Sequence, residues 1–278
     1  MIDETKQRIG LMGCGAIGSG LALAVDEGVV GGAELVAIFD QDISNTQGLL
    51  KRLKSNPKAS NSFEDFMATE GMTLVVEAAS QEAIRQHGAN IVSMGKHLLI
   101  MSTGSLLNAD LFSELSSLTQ QTGCRIFVPS GAVGGIDAIR ASRHELQEVT
   151  ITTRKPPQSL IDTDSANADT LKNITSATVV FEGSAREAVR RFPFNINVAA
   201  TISLAGLGPE KTKVRIIADP EAKGNIHEIY IAGKSGVMRF IMENVPHPEN
   251  PMTSHLAVLS AIETLRGACN ERGIRVGA

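Results

Sequence analysis

A chain of 278 residues with 42% hydrophobic and 20% charged residues has the composition of a soluble globular protein, with enough length for one large domain or two modest ones. Lys and Arg total 26 against 30 Asp and Glu, and aromatic residues are 4% with no Trp. This leaves neither the cationic surface nor the stacking platforms that a nucleic-acid partner requires. Cys14, Cys124 and Cys269 are too far apart for a paired metal motif and odd in number for a disulfide framework, which points to a reducing, cytoplasmic setting. The polar N-terminus and the glycine-broken stretch after Ile9 give no signal or membrane-spanning segment.

In chain order, residues 8–12 form a short apolar run ending in glycines, residues 17–25 an apolar helical pattern and residues 34–39 a second strand. Together they read as a β-α-β unit. Runs at 74–78, 97–101 and 125–128 follow, separated by stretches able to form helices. The fold class is therefore α/β, with an N-terminal Rossmann-type doubly wound parallel sheet. Beyond residue 128 the runs at 148–153, 178–182, 213–218 and 226–231 are β-branched and partly alternating, which predicts a C-terminal α+β domain with a mixed sheet.

Residues 184–191 and 197–205 read as helices, and residues 156–168 as a surface loop. Asp219-Pro220 with Lys223-Gly224-Asn225 predicts a hairpin connection. The last helix spans 253–266, with Thr253 or Ser254 as its cap and Leu256, Leu259, Ile262 and Leu265 as its apolar residues, and packs back on the first half. The expected division is 1–129 for the dinucleotide-binding domain, 130–249 for the substrate domain and 250–278 for the returning helix.

Gly13-Cys14-Gly15-Ala16-Ile17-Gly18 lies between the first strand and the first helix, the context in which GxGxxG marks a phosphate loop. Gly13 lets the chain turn, Gly15 lets the backbone approach a pyrophosphate, and Gly18 lets helix and strand pack closely. Backbone N–H groups of Gly15, Ala16 and Ile17 at the helix start then face the phosphates. Asp40, 22 residues after Gly18, ends the second strand where a carboxylate can take the adenosine ribose hydroxyls. It favours NAD and would repel the 2′-phosphate of NADP without excluding it. Glu77-Ala78-Ala79-Ser80 follows another strand, and Ala79 is small enough for a cofactor to lie across it; an ordinary loop fits these residues nearly as well.

Several blocks of the second half go together: Pro129-Ser130-Gly131-Ala132-Val133-Gly134-Gly135-Ile136-Asp137, Phe192-Pro193-Phe194-Asn195-Ile196-Asn197-Val198-Ala199, Ala218-Asp219-Pro220 with Asn225-Ile226-His227-Glu228, and Asn250-Pro251-Met252-Thr253-Ser254. With the glycine loop they resemble the L-aspartate dehydrogenase family across the whole chain. The resemblance implies NAD(P)-dependent oxidative deamination of L-aspartate through iminoaspartate to oxaloacetate and ammonia, with the imine alternatively taken up for quinolinate and hence pyridine-nucleotide biosynthesis. It implies His227 as catalytic residue and Ala132 and Asn197 as cofactor contacts. A homodimer is expected by the same association.

The chemistry suits these residues. Oxidising an amino acid at its α-carbon needs a neutral amine, and hydrolysing the imine needs activated water, so a group titrating near neutrality serves both steps. His227 shares a strand face with Ile229 and Ile231, where partial desolvation favours neutral imidazole. A histidine merely packed in a sheet is the alternative. His247 and His255 flank Asn250-Pro251 and are reserve candidates; His87, His97 and His144 are more easily structural. Asn197 could cap its helix instead of touching a ligand, and residues 130–135 could be a hinge. The two substrate carboxylates need cations, for which Arg140, Arg143, Lys211, Lys213 and Arg215 are available without a choice among them. No metal-ligand spacing occurs, and dehydrogenation needs none. The competing functions are a related Rossmann enzyme for another amino acid, homoserine dehydrogenase-like, and a non-enzymatic dinucleotide sensor.

Overall fold

A computed structural model describes residues 6–160, 171, 173–192 and 196–270. The chain divides into two units: the first runs to Pro129 and takes the chain back from Val258, and the second is Ser130–Ala257.

The first unit is a six-stranded parallel sheet made of β1 (Gln7–Met12), β2 (Ala33–Phe39), β3 (Lys58–Ala59), β4 (Leu74–Glu77), β5 (His97–Ile100) and β6 (Ile126–Phe127), in the order β3-β2-β1-β4-β5-β6. Helices α1 (Ala16–Asp26), α2 (Ile43–Leu50), α3 (Phe63–Met67), α4 (Gln81–Ser93) and α5 (Ala109–Thr122) make the crossovers. Strand order reverses between β1 and β4, the switch point at which such sheets bind ligands beyond their carboxyl ends. Leu74, Val75 and Val76 are all buried, as are Leu98, Leu99 and Ile100, because a sheet covered on both faces needs continuous apolar runs. Side-chain caps fix where helices begin: Asp42 for α2, Ser62 for α3, Ser80 for α4 and Asn108 for α5.

The second unit holds a five-stranded mixed sheet in the order β11-β10-β7-β9-β8, made of β7 (Leu146–Lys155), β8 (Thr178–Ser184), β9 (Lys213–Ala218), β10 (Ile226–Gly233) and β11 (Gly236–Glu243). Among these pairs β7 and β9 run parallel and the rest antiparallel. Alternation puts Val149, Ile151, Thr153 and Lys155 of β7 on one buried face, with Val214, Ile216 and Ala218 of β9 and His227, Ile229 and Ile231 of β10. Helices α6 (Ile136–Ser142), α7 (Ala185–Arg191) and α8 (Asn197–Ala205) belong to this unit. Where α8 ends at Gly206, an added Cβ would come within 3.1 Å of Ile139 and 3.5 Å of Val149, so helix and sheet meet there at close range. A capping box closes the start of α7: Glu187 N–H donates to Ser184 Oγ at 3.2 Å, and Ser184 N–H donates to the Glu187 carboxylate at 2.8 Å. The opposite sheet face leaves Val237 at 58% and Ile241 at 63% exposure, beside Tyr230 and Arg239.

The expected hairpin across residues 219–225 does not form. The turn chemistry is present, with Glu221 N–H donating to Asp219 Oδ1 at 2.9 Å, but β7 lies between β9 and β10, so the segment crosses over a strand. Long-range pairing decides that, and local turn residues carry no signal of it. The hairpin in this sheet is β10–β11, closed beside Gly236 with φ +119°. Strand β11 escapes sequence reading because Val237 and Ile241 are apolar on one face while Met238, Phe240 and Met242 are apolar on the other. Of residues 156–168, positions 157–160 form a 3-10 turn with Pro157 and Leu160 buried, and 161–168 lie outside the described residues.

The last helix starts later than expected. Asn250–Ser254 is strand β13, paired with β12 (Pro246–His247), and α9 spans His255–Cys269. Its buried stripe is Val258, Ala261, Leu265 and Ala268, while Leu256 and Leu259 are exposed. Ala261 and Ala268 face the core with Leu265, alongside Ile9, Leu11, Leu21, Val25 and Leu35, and the helix lies close to α1: a Cβ on Gly20 would sit 3.0 Å from Val258 Cγ1.

Candidate active site and cofactor loop

The glycine loop has the geometry that a dinucleotide requires. Gly13 stands at φ +99°, and a Cβ there would come within 2.6 Å of the Ala78–Ala79 backbone. A Cβ on Gly18 would collide with the Gly13 carbonyl, so this glycine closes the loop on itself rather than on the strand. Gly15 differs from both, since a Cβ there would meet nothing within 4 Å. Its bare backbone opens onto space at the N-cap of α1, and no side chain caps that helix. The first turn, with Ala16 and Ile17, thus presents amide donors and the positive end of the helix to a ligand. These residues fit the pyrophosphate of a dinucleotide.

Asp40 is tied to the loop as well as placed beside it: Cys14 N–H donates to Oδ2 at 2.7 Å, Asp42 N–H to Oδ1 at 2.9 Å and Asn45 Nδ2 to Oδ1 at 3.3 Å. It is partly exposed, and a carboxylate has lone pairs beyond these three bonds. Burial, and then the Asp40 charge, push the Cys14 thiol up to about 12, so this cysteine is an inert filler of the loop.

Ala79 is held by a residue that sequence reading did not single out. Glu77, fully buried at the end of β4, accepts from Ala79 N–H at 2.8 Å and Ser102 Oγ–H at 2.7 Å through Oε1, and from Ser102 N–H at 3.0 Å through Oε2. Burial raises its pKa while these donors lower it, and burial is the larger influence. A carboxylate in an otherwise apolar strand end, LVVE, was the available signal.

In the second unit His227 is 3% exposed, and its Nδ1 lies 3.0 Å from Thr153 Oγ1, directly across the β7–β10 pair. The threonine fixes the ring plane and leaves Nε2 as the nitrogen for other chemistry. Burial first, and the nearby Lys155 charge second, push the imidazole down to about 3, so it is neutral at physiological pH. Lys155 is itself 5% exposed, and burial pushes its amine down to about 8. Reading β7 only as far as residue 153 hid Lys155, although continuing the alternation of Val149, Ile151 and Thr153 by one step puts it on the His227 face.

The remaining expected residues divide. Ala132 is buried, and its carbonyl accepts from Asn244 Nδ2 at 3.0 Å. Gly135, at φ +80°, has the Phe240 ring where a Cβ would be, so the 130–135 loop is fastened to its own unit at both places. Asn197 is the first residue of α8; the N-cap is Ile196, so the capping alternative does not hold. Pro193, Phe194 and Asn195 lie outside the described residues. Arg140, Arg143 and Lys211 are exposed, Lys213 bonds Glu148 at 2.9 Å, and Arg215 faces Glu182 at 3.7 Å. Lys213 and Arg215 alternate with Val214 and Ile216 along β9 and so lie on the face opposite His227. His87 stacks on Phe63 at 3.8 Å, His97 Nδ1 accepts from Arg125 N–H at 3.0 Å, and His144 is exposed. His247 and His255 lie 5.6 Å apart, with Glu249 N–H on His247 Nδ1. Among the described residues no three His, Cys, Asp or Glu side chains group as metal ligands would, and no helix is long and apolar enough to cross a membrane.

Comparison with known proteins agrees with this division of labour. Residues 13–129 match the family model "Homoserine dehydrogenase, NAD binding domain", and residues 137–268 match "Aspartate dehydrogenase, C-terminal". The L-aspartate dehydrogenase of Methanosarcina barkeri is 45% identical over 262 residues, covering 93% of this chain and 96% of its own. That of Nitrosopumilus maritimus is 41% identical, covering 98% of this chain and 99% of its own. The crystal structure of aspartate dehydrogenase from Thermotoga maritima superposes with a TM-score of 0.75 at 32% identity, covering 98% of this chain and 99% of that one.

Proposed function

The chain belongs to the L-aspartate dehydrogenase family, and from that premise we propose that it oxidises L-aspartate with NAD, through iminoaspartate, to oxaloacetate and ammonia. The observation that carries this reading is the buried His227–Thr153 pair in a chain whose glycine loop fits a dinucleotide. Bound NAD supplies the two-electron acceptor for the substrate. Gly13, Gly15, Ala16 and Ile17 hold its pyrophosphate through backbone groups, Asp40 its adenosine ribose, and Ala79, Ala132 and Asn197 serve as further contacts.

Neutral His227 accepts the proton that must leave the substrate ammonium before its α-carbon is oxidised, passes it to solvent, and, neutral again, accepts a proton from the water that attacks the imine. Thr153 keeps the ring oriented for both transfers. Iminoaspartate released before hydrolysis would instead feed pyridine-nucleotide biosynthesis, the outlet that the family resemblance suggests. The three free cysteines support a cytoplasmic setting. Exposed Val237 and Ile241 on the open sheet face support a homodimer joined through that face, which light scattering on Ile241→Glu tests: the variant is expected to be monomeric.

The deciding experiment is a panel of L-amino acids with NAD and NADP, followed by reduced-nicotinamide absorbance. L-Aspartate with NAD is the expected best pair. Turnover of another amino acid with none of L-aspartate would overturn the reading and restore the homoserine dehydrogenase-like alternative. A His227 variant that binds cofactor but has lost turnover excludes the sensor.

A further inference from the structure

We propose that Glu77 is a positioning residue for the nicotinamide half of the cofactor: its carboxylate fixes the two segments, one after β4 and one after β5, that face that half. The inference rests on the reading that NAD binds at the glycine loop, and it deepens that reading. Glu77 is 0% exposed, so it acts on a ligand through other groups and not by touching it.

The placement follows from sheet order. With strands in the order β3-β2-β1-β4-β5-β6, the two mononucleotide halves of a dinucleotide fall on opposite sides of the switch point, the adenosine toward β2 and the nicotinamide toward β4 and β5. Each side has a carboxylate at a strand end that gathers backbone amides from two segments. Asp40, directly after β2, takes Cys14 N–H of the glycine loop and Asp42 N–H of its own segment. Glu77, the last residue of β4, takes Ala79 N–H at 2.8 Å and Ser102 N–H at 3.0 Å, with the Ser102 hydroxyl at 2.7 Å. Asp40 is partly exposed and can also meet a ligand, whereas Glu77 bonds only within the protein.

The segment that Glu77 holds is the one on which the glycine loop closes. A Cβ on Gly13 would come within 2.6 Å of the Ala78 carbonyl and the Ala79 nitrogen, and one on Gly18 within 3.5 Å of Ala78 Cβ. The Ala78–Ala79 peptide is therefore a wall of the crevice. Because a trans peptide is planar, the bond from Ala79 N–H to Glu77 fixes the direction of the Ala78 carbonyl at the same time. Ser102 is anchored on its far side too, since Ser105 Oγ–H donates to its carbonyl at 2.8 Å within the buried turn Thr103–Leu107.

The three bonds at Glu77 all come from donors, which suits a group with acceptors on both oxygens. A glutamine puts an NH2 in place of one oxygen, and in either orientation that NH2 meets a backbone N–H. The segments then relax toward other partners, and only a fraction of the molecules keeps the crevice that the nicotinamide half needs. The β2 side, held by Asp40, is not involved.

Calorimetry on the full-length protein with NADH and with ADP separates the halves, because ADP lacks the nicotinamide nucleoside. Glu77→Gln is expected to weaken NADH about 10-fold, the size of one stranded buried donor, and to leave ADP within about 2-fold of the unmodified protein. Ser102→Ala, which removes the hydroxyl and keeps both amide bonds, should weaken NADH about 3-fold, and it decides the matter if the glutamine variant does not fold. In steady-state kinetics the KM for NAD should rise with the loss of NADH affinity while the KM for L-aspartate stays near that of the unmodified protein. A lower melting temperature with unchanged NADH affinity reduces Glu77 to support of the sheet and overturns the proposal. An equal loss for NADH and ADP also overturns it, because the influence then falls on the glycine loop. If the unmodified protein binds neither nucleotide, the cofactor reading fails and takes the proposal with it. If it binds NADH but oxidises another amino acid, the aspartate reading alone fails and the comparison of NADH with ADP stands.

Discussion

The two units build their sites from different materials. In the N-terminal unit the ligand-facing groups are backbone amides, set in place by Gly13, Gly15 and Gly18 within one short stretch of chain. In the C-terminal unit the proposed site is made of side chains on neighbouring strands, Thr153 from β7 and His227 from β10, 74 residues beyond Thr153, with the buried Lys155 on the same face. A backbone site tolerates any side chain that stays out of the way, as the buried Cys14 shows. A side-chain site depends on strand register, because a one-residue slip would turn Thr153, Lys155 and His227 to the opposite face together.

The sharpest test of this contrast is His227→Gln. It should lower kcat by roughly 10²- to 10⁴-fold, the range for losing a general base, while cofactor affinity stays unchanged. Steady-state kinetics beside nicotinamide fluorescence measures both. A parallel loss of cofactor binding would show that the two sites are not separable.

The next effect is on stability against pH, and it arises in the C-terminal unit. Lys155 is pushed down to about 8 from its ordinary 10.5, so across that interval the unfolded chain holds the proton that the folded chain has released. Lys155 therefore makes stability rise with pH by up to about 1.4 kcal/mol per pH unit between about pH 8 and 9, above which the raised thiols of Cys14 (about 12) and Cys269 (about 11) act in the opposite direction and reverse the slope. His227 is pushed down to about 3 from 6.5, so its contribution is fully present above pH 6.5 and is lost as pH falls toward 3. Urea unfolding across pH should show both slopes, and Lys155→Met should abolish the rise above about pH 8.

The glycines sharpen the comparison from the other side. Gly18→Ala forces a Cβ into the Gly13 carbonyl and should cost about 1–3 kcal/mol of stability. Gly15→Val has open space within the protein and should leave the melting temperature near that of the parent while cofactor affinity falls about 10-fold or more. Thermal melts paired with cofactor titration separate the two. The smallest effect is at Asp40. Asp40→Asn removes the charge that opposes a 2′-phosphate and should narrow the preference for NAD over NADP by about 10-fold in kcat/KM.

The same contrast explains how much could be read from the chain. The parallel sheet was legible because fully buried strands such as Leu74–Glu77 are apolar without interruption, and the glycine loop because its residues are contiguous. The mixed sheet was legible as strands but not as an arrangement, since nothing local to residues 219–225 reports that β7 intervenes. His227 was singled out through the blocks around it. Lys155 was missed because a charged residue at a strand end reads as its solvent-facing boundary, and Glu77 because its role lies in donors two and twenty-five positions away.

Those donors have a consequence for how the N-terminal unit moves. One carboxylate takes the amides of Ala79 and Ser102 together, so the segments after β4 and β5 cannot loosen independently without stranding a buried acceptor. Their amide protons should therefore exchange with solvent in step, through one shared opening event rather than two. In Glu77→Ala they should exchange at separate rates.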